Sequence, residues 1–140
     1  MEGSWEECLE FSSAIRITPD KAKVKSLLET AKGRVRFVKR YPLEEDNANY
    51  VFEDIYSSIV EVLHTIVLLD GFKVRNHICL GFYLRDVLKR EDLFRMFDDC
   101  RYKRNHLVYY GRRMGFDAAR HTVTKAERLL RELQGIATQR

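Results

Sequence analysis

Residues 50–69 read YVFEDIYSSIVEVLHTIVLL, the most apolar stretch of the chain, and within it Phe52, Ile55, Tyr56, Ile59, Leu63, Ile66 and Val67 recur at spacings of three and four. That is the period of a helix buried along one broad face, so the spacing predicts the central helix of a bundle from Tyr50 to Leu69. Asp70-Gly71 supplies its stop signal.

Working outward, Thr18-Pro19-Asp20 combines a hydroxyl N-cap, a proline at the first helical position and a carboxylate in the first turn. A helix from about Pro19 to about Arg40 is expected, with Val24, Leu28, Ala31, Val35 and Val38 as its apolar stripe. Beside that stripe Lys21, Lys25, Lys32, Arg36 and Lys39 fall on one narrow line. Further upstream, Trp5, Cys8, Leu9, Phe11 and Ile15 predict a short helix over Trp5 to Ile15.

Downstream, Cys79, Phe82, Tyr83 and Val87 suggest the buried edge of a shorter helix from Asn76 to Lys89, with His77 as a capping residue. Another runs from Glu91 to Tyr110 and stops at Gly111. Asp117 is expected to cap a last helix whose stripe is Ala119, Val123, Ala126, Leu130 and Leu133, ending at Gly135. The fold class read from this pattern is all-α, an antiparallel bundle of about five helices.

The composition agrees. With 140 residues and 45% hydrophobic content, the chain fits one domain, its core over about 18–134. Only Pro19 and Pro42 interrupt it, and the glycines lie between periodic segments, which excludes a many-stranded sandwich. The longest purely aliphatic run, Ile66 to Leu69, is far too short for a bilayer, and residues 1–20 lack a basic patch followed by an apolar stretch. No membrane association is expected. Cys8, Cys79 and Cys100 are an odd count without paired spacing, so they read as free thiols in a reducing compartment, and the expected location is cytoplasmic. No glycine-rich phosphate loop, Gly-x-Ser-x-Gly elbow or histidine pair at metal-ligand spacing occurs, so neither a cofactor nor a metal is expected. A net charge of +4 is a mild excess that leaves room for an anionic partner.

The segment from Leu93 to Arg113 carries the functional signal. Leu93, Phe97, Cys100, Leu107 and Val108 form the core-facing stripe, and Arg104 falls in the middle of it. A guanidinium on an apolar line either pairs with a carboxylate or reaches a cleft or interface, because burying it unpaired is very costly. The other side of the helix interleaves Arg95, Tyr102, His106, Tyr109 and Arg113, groups that can neutralise phosphate and stack on unpaired bases. The same pattern also fits a solvated face with tyrosines lying against a partner subunit.

These residues resemble the hallmark of the HEPN family (higher eukaryotes and prokaryotes nucleotide-binding): an arginine, usually a polar residue after it, then a histidine after roughly four to six intervening residues on a late helix. Two registers fit. Arg104-Asn105 gives the arginine-polar start, with Tyr109 where the histidine is commonly found, while Arg101 and His106 satisfy the spacing, with Tyr102 in the polar position. The surroundings favour the first: a basic second helix, a long apolar helix closing on Leu69-Asp70-Gly71-Phe72-Lys73, a short helix, and then Tyr109-Tyr110-Gly111. The resemblance spans about Thr18 to Leu133.

It implies a small helical protein acting on RNA or nucleotides as a homodimer. Active members cleave RNA without a metal, some as the toxin partner of a neighbour-encoded nucleotidyltransferase antitoxin. By the resemblance, Arg104 or Arg101 would clamp the scissile phosphate, and His106, or Tyr109 in its place, would serve the attacking hydroxyl. A phenol with a pKa of about 10 is a weak base at neutral pH, so a site using Tyr109 implies weak cleavage or binding alone. A non-catalytic dimerisation or protein-interaction module is the alternative.

Overall fold

The computed structural model describes all 140 residues and contains six α-helices and one two-stranded ribbon. The helices are α1 (Trp5–Glu10), α2 (Lys21–Val38), α3 (Ala48–Leu69), α4 (His77–Phe82), α5 (Glu91–Tyr110) and α6 (Phe116–Thr138), and the strands are β1 (Ala14–Arg16) and β2 (Phe72–Val74). The all-α expectation holds, with α3 as the central element between α2 and α6, while α5 packs on α6 and α4. No helix is long and apolar enough to cross a membrane.

α3 earns its position by composition. Fourteen of its 22 residues are buried, and the polar ones among them are hydrogen-bonded. Ser58 and Thr65 donate their hydroxyls to the Asp54 and Glu61 carbonyls one turn back, and Asn49 bridges both backbone polar groups of Met114 at 2.9 Å. Buried polar groups are tolerated when paired in this way. The Asn49 bridge ties the start of α3 to the connection between α5 and α6.

Several boundaries depart from the sequence reading, each for a local reason. The first helix stops at Glu10 instead of reaching Ile15, because Ser12 adopts a left-handed conformation (φ 60°) that a helix cannot continue through. Ala14–Arg16 then pairs antiparallel with Phe72–Val74, Ile15 lying opposite Lys73. The Asp-Gly-Phe-Lys segment therefore enters a ribbon through Gly71, whose φ of +93° favours glycine. The cap of α2 is Asp20, not Thr18: its carboxylate accepts the Lys23 N–H at 3.1 Å. Asn76, not His77, caps α4 by accepting the Cys79 N–H at 2.9 Å.

α4 is short because the chain widens into a π-helical turn at Tyr83–Val87, which leaves Val87 exposed instead of on the buried edge. α6 starts from Gly115 without a side-chain cap, Asp117 instead pairing with Arg120 at 2.8 Å. It also runs through Gly135, since Ala137 beyond it still packs into the core. The glycine that does end a helix is Gly111, at φ +62° after α5.

A single cluster of 29 buried residues draws on all of these elements; it begins upstream of residue 18, at Trp5, Cys8 and Ala14, and extends past residue 134 to Ala137. Within it the free-thiol expectation fails for two of the three cysteines. Cys8 of α1 and Cys79 of α4 form a disulfide, their Cα atoms 6.1 Å apart. The pairing joins residues 71 apart in sequence, so no local spacing could betray it, and packing of α1 on α4 brings them together. Cys100 alone is free, and its burial pushes the thiol up to about 12, where it is unreactive at neutral pH.

Candidate functional site

α5 changes character along its length. Leu93, Phe97 and Cys100 are buried, but no residue after Cys100 is. The helix thus leaves the core halfway, and Arg104, one turn on, comes to the edge of a cleft of about 510 Å3 between α5 and the start of α4. Arg101, Arg104, Asn105 and Tyr109 line it from α5, and Asn76 and His77 from the other side. Its size lies in the range of roughly 300–1,000 Å3 usual for ligand clefts.

Tyr56 of α3 lies behind the cleft and touches two of its lining residues, His77 and Arg104. It is 1% exposed and stacked on Phe97, ring centroids 5.8 Å apart and nearly parallel at 7°. The Arg104 guanidinium lies over the Tyr56 ring at 5.6 Å and over the Tyr109 ring at the same distance, sandwiched between one buried and one exposed aromatic face. Cation–π contact of this kind holds a guanidinium without neutralising it. No carboxylate comes within 4.0 Å of Arg104, whose only side-chain hydrogen bond is a long one, Nη1 donating to Asn105 Oδ1 at 3.4 Å. Of the two alternatives left open by the helical spacing, the cleft is therefore the one realised. Arg101 differs, since it pairs with Asp98 one turn back at 2.8 Å.

His77 is the member to which the sequence reading gave only a capping role. Its Nδ1 lies 2.9 Å from the Tyr56 hydroxyl. Burial, with Arg104, His64 and Arg101 nearby, pulls the imidazole down to about 4, so it is neutral at pH 7. Burial raises the Tyr56 phenol above its ordinary value and keeps it protonated. Neither residue could have been found from periodicity: on the sequence Tyr56 is one more apolar position, and His77 comes next to Arg104 only through tertiary packing.

The remaining candidates are distributed differently from the single interleaved face that the helical wheel suggests. Tyr102, His106 and Tyr110 form an aromatic ladder, with His106 4.2 Å from Tyr102 and 5.5 Å from Tyr110, outside the cleft. Tyr109 turns instead toward Arg104. Arg113 lies beyond the helix end, over Tyr50 at 5.5 Å, because Gly111 redirects the chain. Arg95 is exposed and paired with Glu91 at 3.3 Å.

Lys21, Lys25, Lys32, Arg36 and Lys39 are all exposed along α2, Lys39 bridging to Glu127 of α6 at 3.0 Å, and none of them lines the cleft. The arrangement thus brings Arg101, Arg104, Asn105 and Tyr109 together with His77 and Tyr56, and leaves His106 and the α2 stripe apart. No family model, curated protein or solved structure matches the chain.

Proposed function

We propose that the α4–α5 cleft binds RNA or nucleotide phosphate in the manner of a HEPN-like domain, with Arg104 as the phosphate clamp. The observation that carries this reading is a half-buried guanidinium with no carboxylate partner, held open to a cleft by two tyrosine faces. Such a group retains its full charge and most of its donors for an anionic ligand. Asn105 adds a polar contact beside it, and the exposed Tyr102, Tyr109 and Tyr110 offer faces on which unpaired bases can stack. The exposed α2 stripe supplies a more distant, salt-sensitive attraction for the phosphate backbone.

Binding is preferred here over cleavage. Tyr109 takes the position where the resemblance expects histidine, and His106 belongs to the ladder outside the cleft. A ribonuclease toxin paired with a nucleotidyltransferase antitoxin would need a base that the late-helix motif does not supply.

The test is Arg104→Ala. A buried arginine that balanced a carboxylate would cost about 3–5 kcal/mol on removal. With no such acid in contact, the variant should melt within a few degrees of the parent chain while its affinity for a short single-stranded RNA falls about tenfold or more. An unchanged affinity rules out Arg104 as the clamp.

A second reading, a dimerisation module without catalysis, draws on the outer half of α5. Tyr102, Val108, Tyr109 and Tyr110 are 59%, 41%, 68% and 70% exposed, more aromatic surface on one helix than a monomer usually leaves in water. Sedimentation is expected to give a homodimer that Tyr110→Glu dissociates. A strict monomer at high concentration sinks this reading and leaves the phosphate-clamp reading to the RNA measurement.

A further inference from the structure

The cleft holds a histidine that α5 does not provide. We propose that His77, at the start of α4, completes the phosphate site, so that one phosphodiester of a bound RNA strand is held by Arg101, Arg104 and Nε2 of His77, and that binding draws a proton onto the imidazole. This rests on the phosphate reading of Arg104 given above.

The juxtaposition is fixed by Tyr56. Its hydroxyl holds His77 Nδ1 at 2.9 Å while its ring face carries the Arg104 guanidinium at 5.6 Å, so both groups are registered on one buried side chain that is itself stacked on Phe97. With Nδ1 engaged, Nε2 is the nitrogen left for a ligand. The phenol suits either state of the ring: it can donate to Nδ1 of neutral imidazole or accept from the Nδ1–H of imidazolium.

The charges around His77 set the direction of the coupling. α5 presents Arg104 and Arg101, the latter shared with Asp98. α3 presents Tyr56 and His64, and the N-terminal segment contributes the α-amino group of Met1 and Glu2, whose carboxylate accepts the Ser13 hydroxyl. No carboxylate comes within 4.0 Å of His77. The free cleft therefore has excess positive charge, and the ring stays neutral, burial and the arginines holding it down to about 4. A phosphodiester seated between the arginines cancels their field and offers the ring a counter-ion, so protonation of His77 becomes easier in the complex than in the free chain. By linkage, the complex binds more protons than its components between those two values, and affinity rises as pH falls through that window.

A short oligouridine without terminal phosphates is the suitable probe, because neither its bases nor its phosphodiesters change charge between about pH 8 and about pH 5. If the bound imidazole returns to near its ordinary value of about 6.5, affinity should rise about tenfold or more over that range. His77→Gln should bind more weakly than the parent, most of all at about pH 5, and lose the slope, whereas His106→Gln should keep it. Calorimetry in two buffers of different ionisation enthalpy should register proton uptake at about pH 6 in the parent chain and in His106→Gln, and none in His77→Gln.

Should His77→Gln fold poorly, the imidazole resonances of the unaltered protein give the same answer: the His77 titration should move to higher pH when oligouridine is added. A flat pH profile with binding intact, a slope that survives in His77→Gln, or a His77 titration indifferent to oligouridine overturns the role of His77 and leaves Arg104 as the clamp. Failure of oligouridine to bind at any pH overturns the phosphate reading together with this one.

Discussion

Tyr56→Ala is expected to destabilise the fold by about 3–5 kcal/mol, the range for deleting a large buried aromatic. Tyr56 is among the largest fully buried side chains, at 1% exposure, and its ring touches three elements at once: Phe97 of α5 in a near-parallel stack, Phe52 within α3, and His77 of α4. A cavity there cannot be filled by the relaxation of one neighbour, because those neighbours belong to helices that also pack elsewhere. For a chain of this length such a loss lowers the melting temperature by about 10 °C or more.

Tyr56→Phe separates packing from polarity. It keeps the stack and removes only the partner of His77 Nδ1, which should cost about 1 kcal/mol, the net value of an ordinary hydrogen bond. Thermal or denaturant unfolding of the two variants checks both figures. A loss below about 1 kcal/mol for Tyr56→Ala would show that α3 and α5 pack independently of this ring and that Arg104 and His77 share no rigid support.

The same residue shows what a sequence can and cannot disclose. The three-and-four spacing of α3 marks Tyr56 as buried, and its burial was legible for the same reason that the whole of α3 was: apolar period is a local property. The limits of α5 were legible too, from Glu91 to Gly111, because the acids at its start and a left-handed glycine at its end act within one turn.

What Tyr56 does beyond filling space was not legible, since its contacts with His77 and Arg104 depend on how α4 and α5 cross α3. Arg104 could be singled out as anomalous because a charge breaks an apolar stripe, a contradiction visible in one dimension. His77 breaks no pattern and so gave no signal. The ribbon β1–β2 was missed because three-residue strands carry too short an alternation to be separated from loop, and its partners lie on opposite sides of α2 and α3 in the chain.

The disulfide between Cys8 and Cys79 was hidden for the same topological reason, and its removal is the second change expected to have a large effect. Closing a loop between residues 71 apart restricts the unfolded chain, a contribution of about 4 kcal/mol by the chain-entropy account. The folded side of the balance points the same way. α1 has only six residues, too few to be helical alone, and it is held by the disulfide, by the Trp5 N–H donating to Asp86 at 2.8 Å, and by Trp5 packed edge-on to Phe72 and Tyr83.

Both cysteines are fully buried, so reductant should act slowly on the folded protein and rapidly once it opens. Cys8→Ala/Cys79→Ala is therefore expected to melt several degrees below the parent chain without reductant, and the gap should narrow when the parent is unfolded in its presence. Thiol counting gives an independent check. Denatured without reductant, the parent should expose one reactive thiol, that of Cys100, and the folded protein essentially none, since burial raises that thiol to about 12. Three thiols in the denatured protein, together with melting curves that reductant does not move, would remove the bond and leave α1 to be held by Trp5 and Asp86 alone.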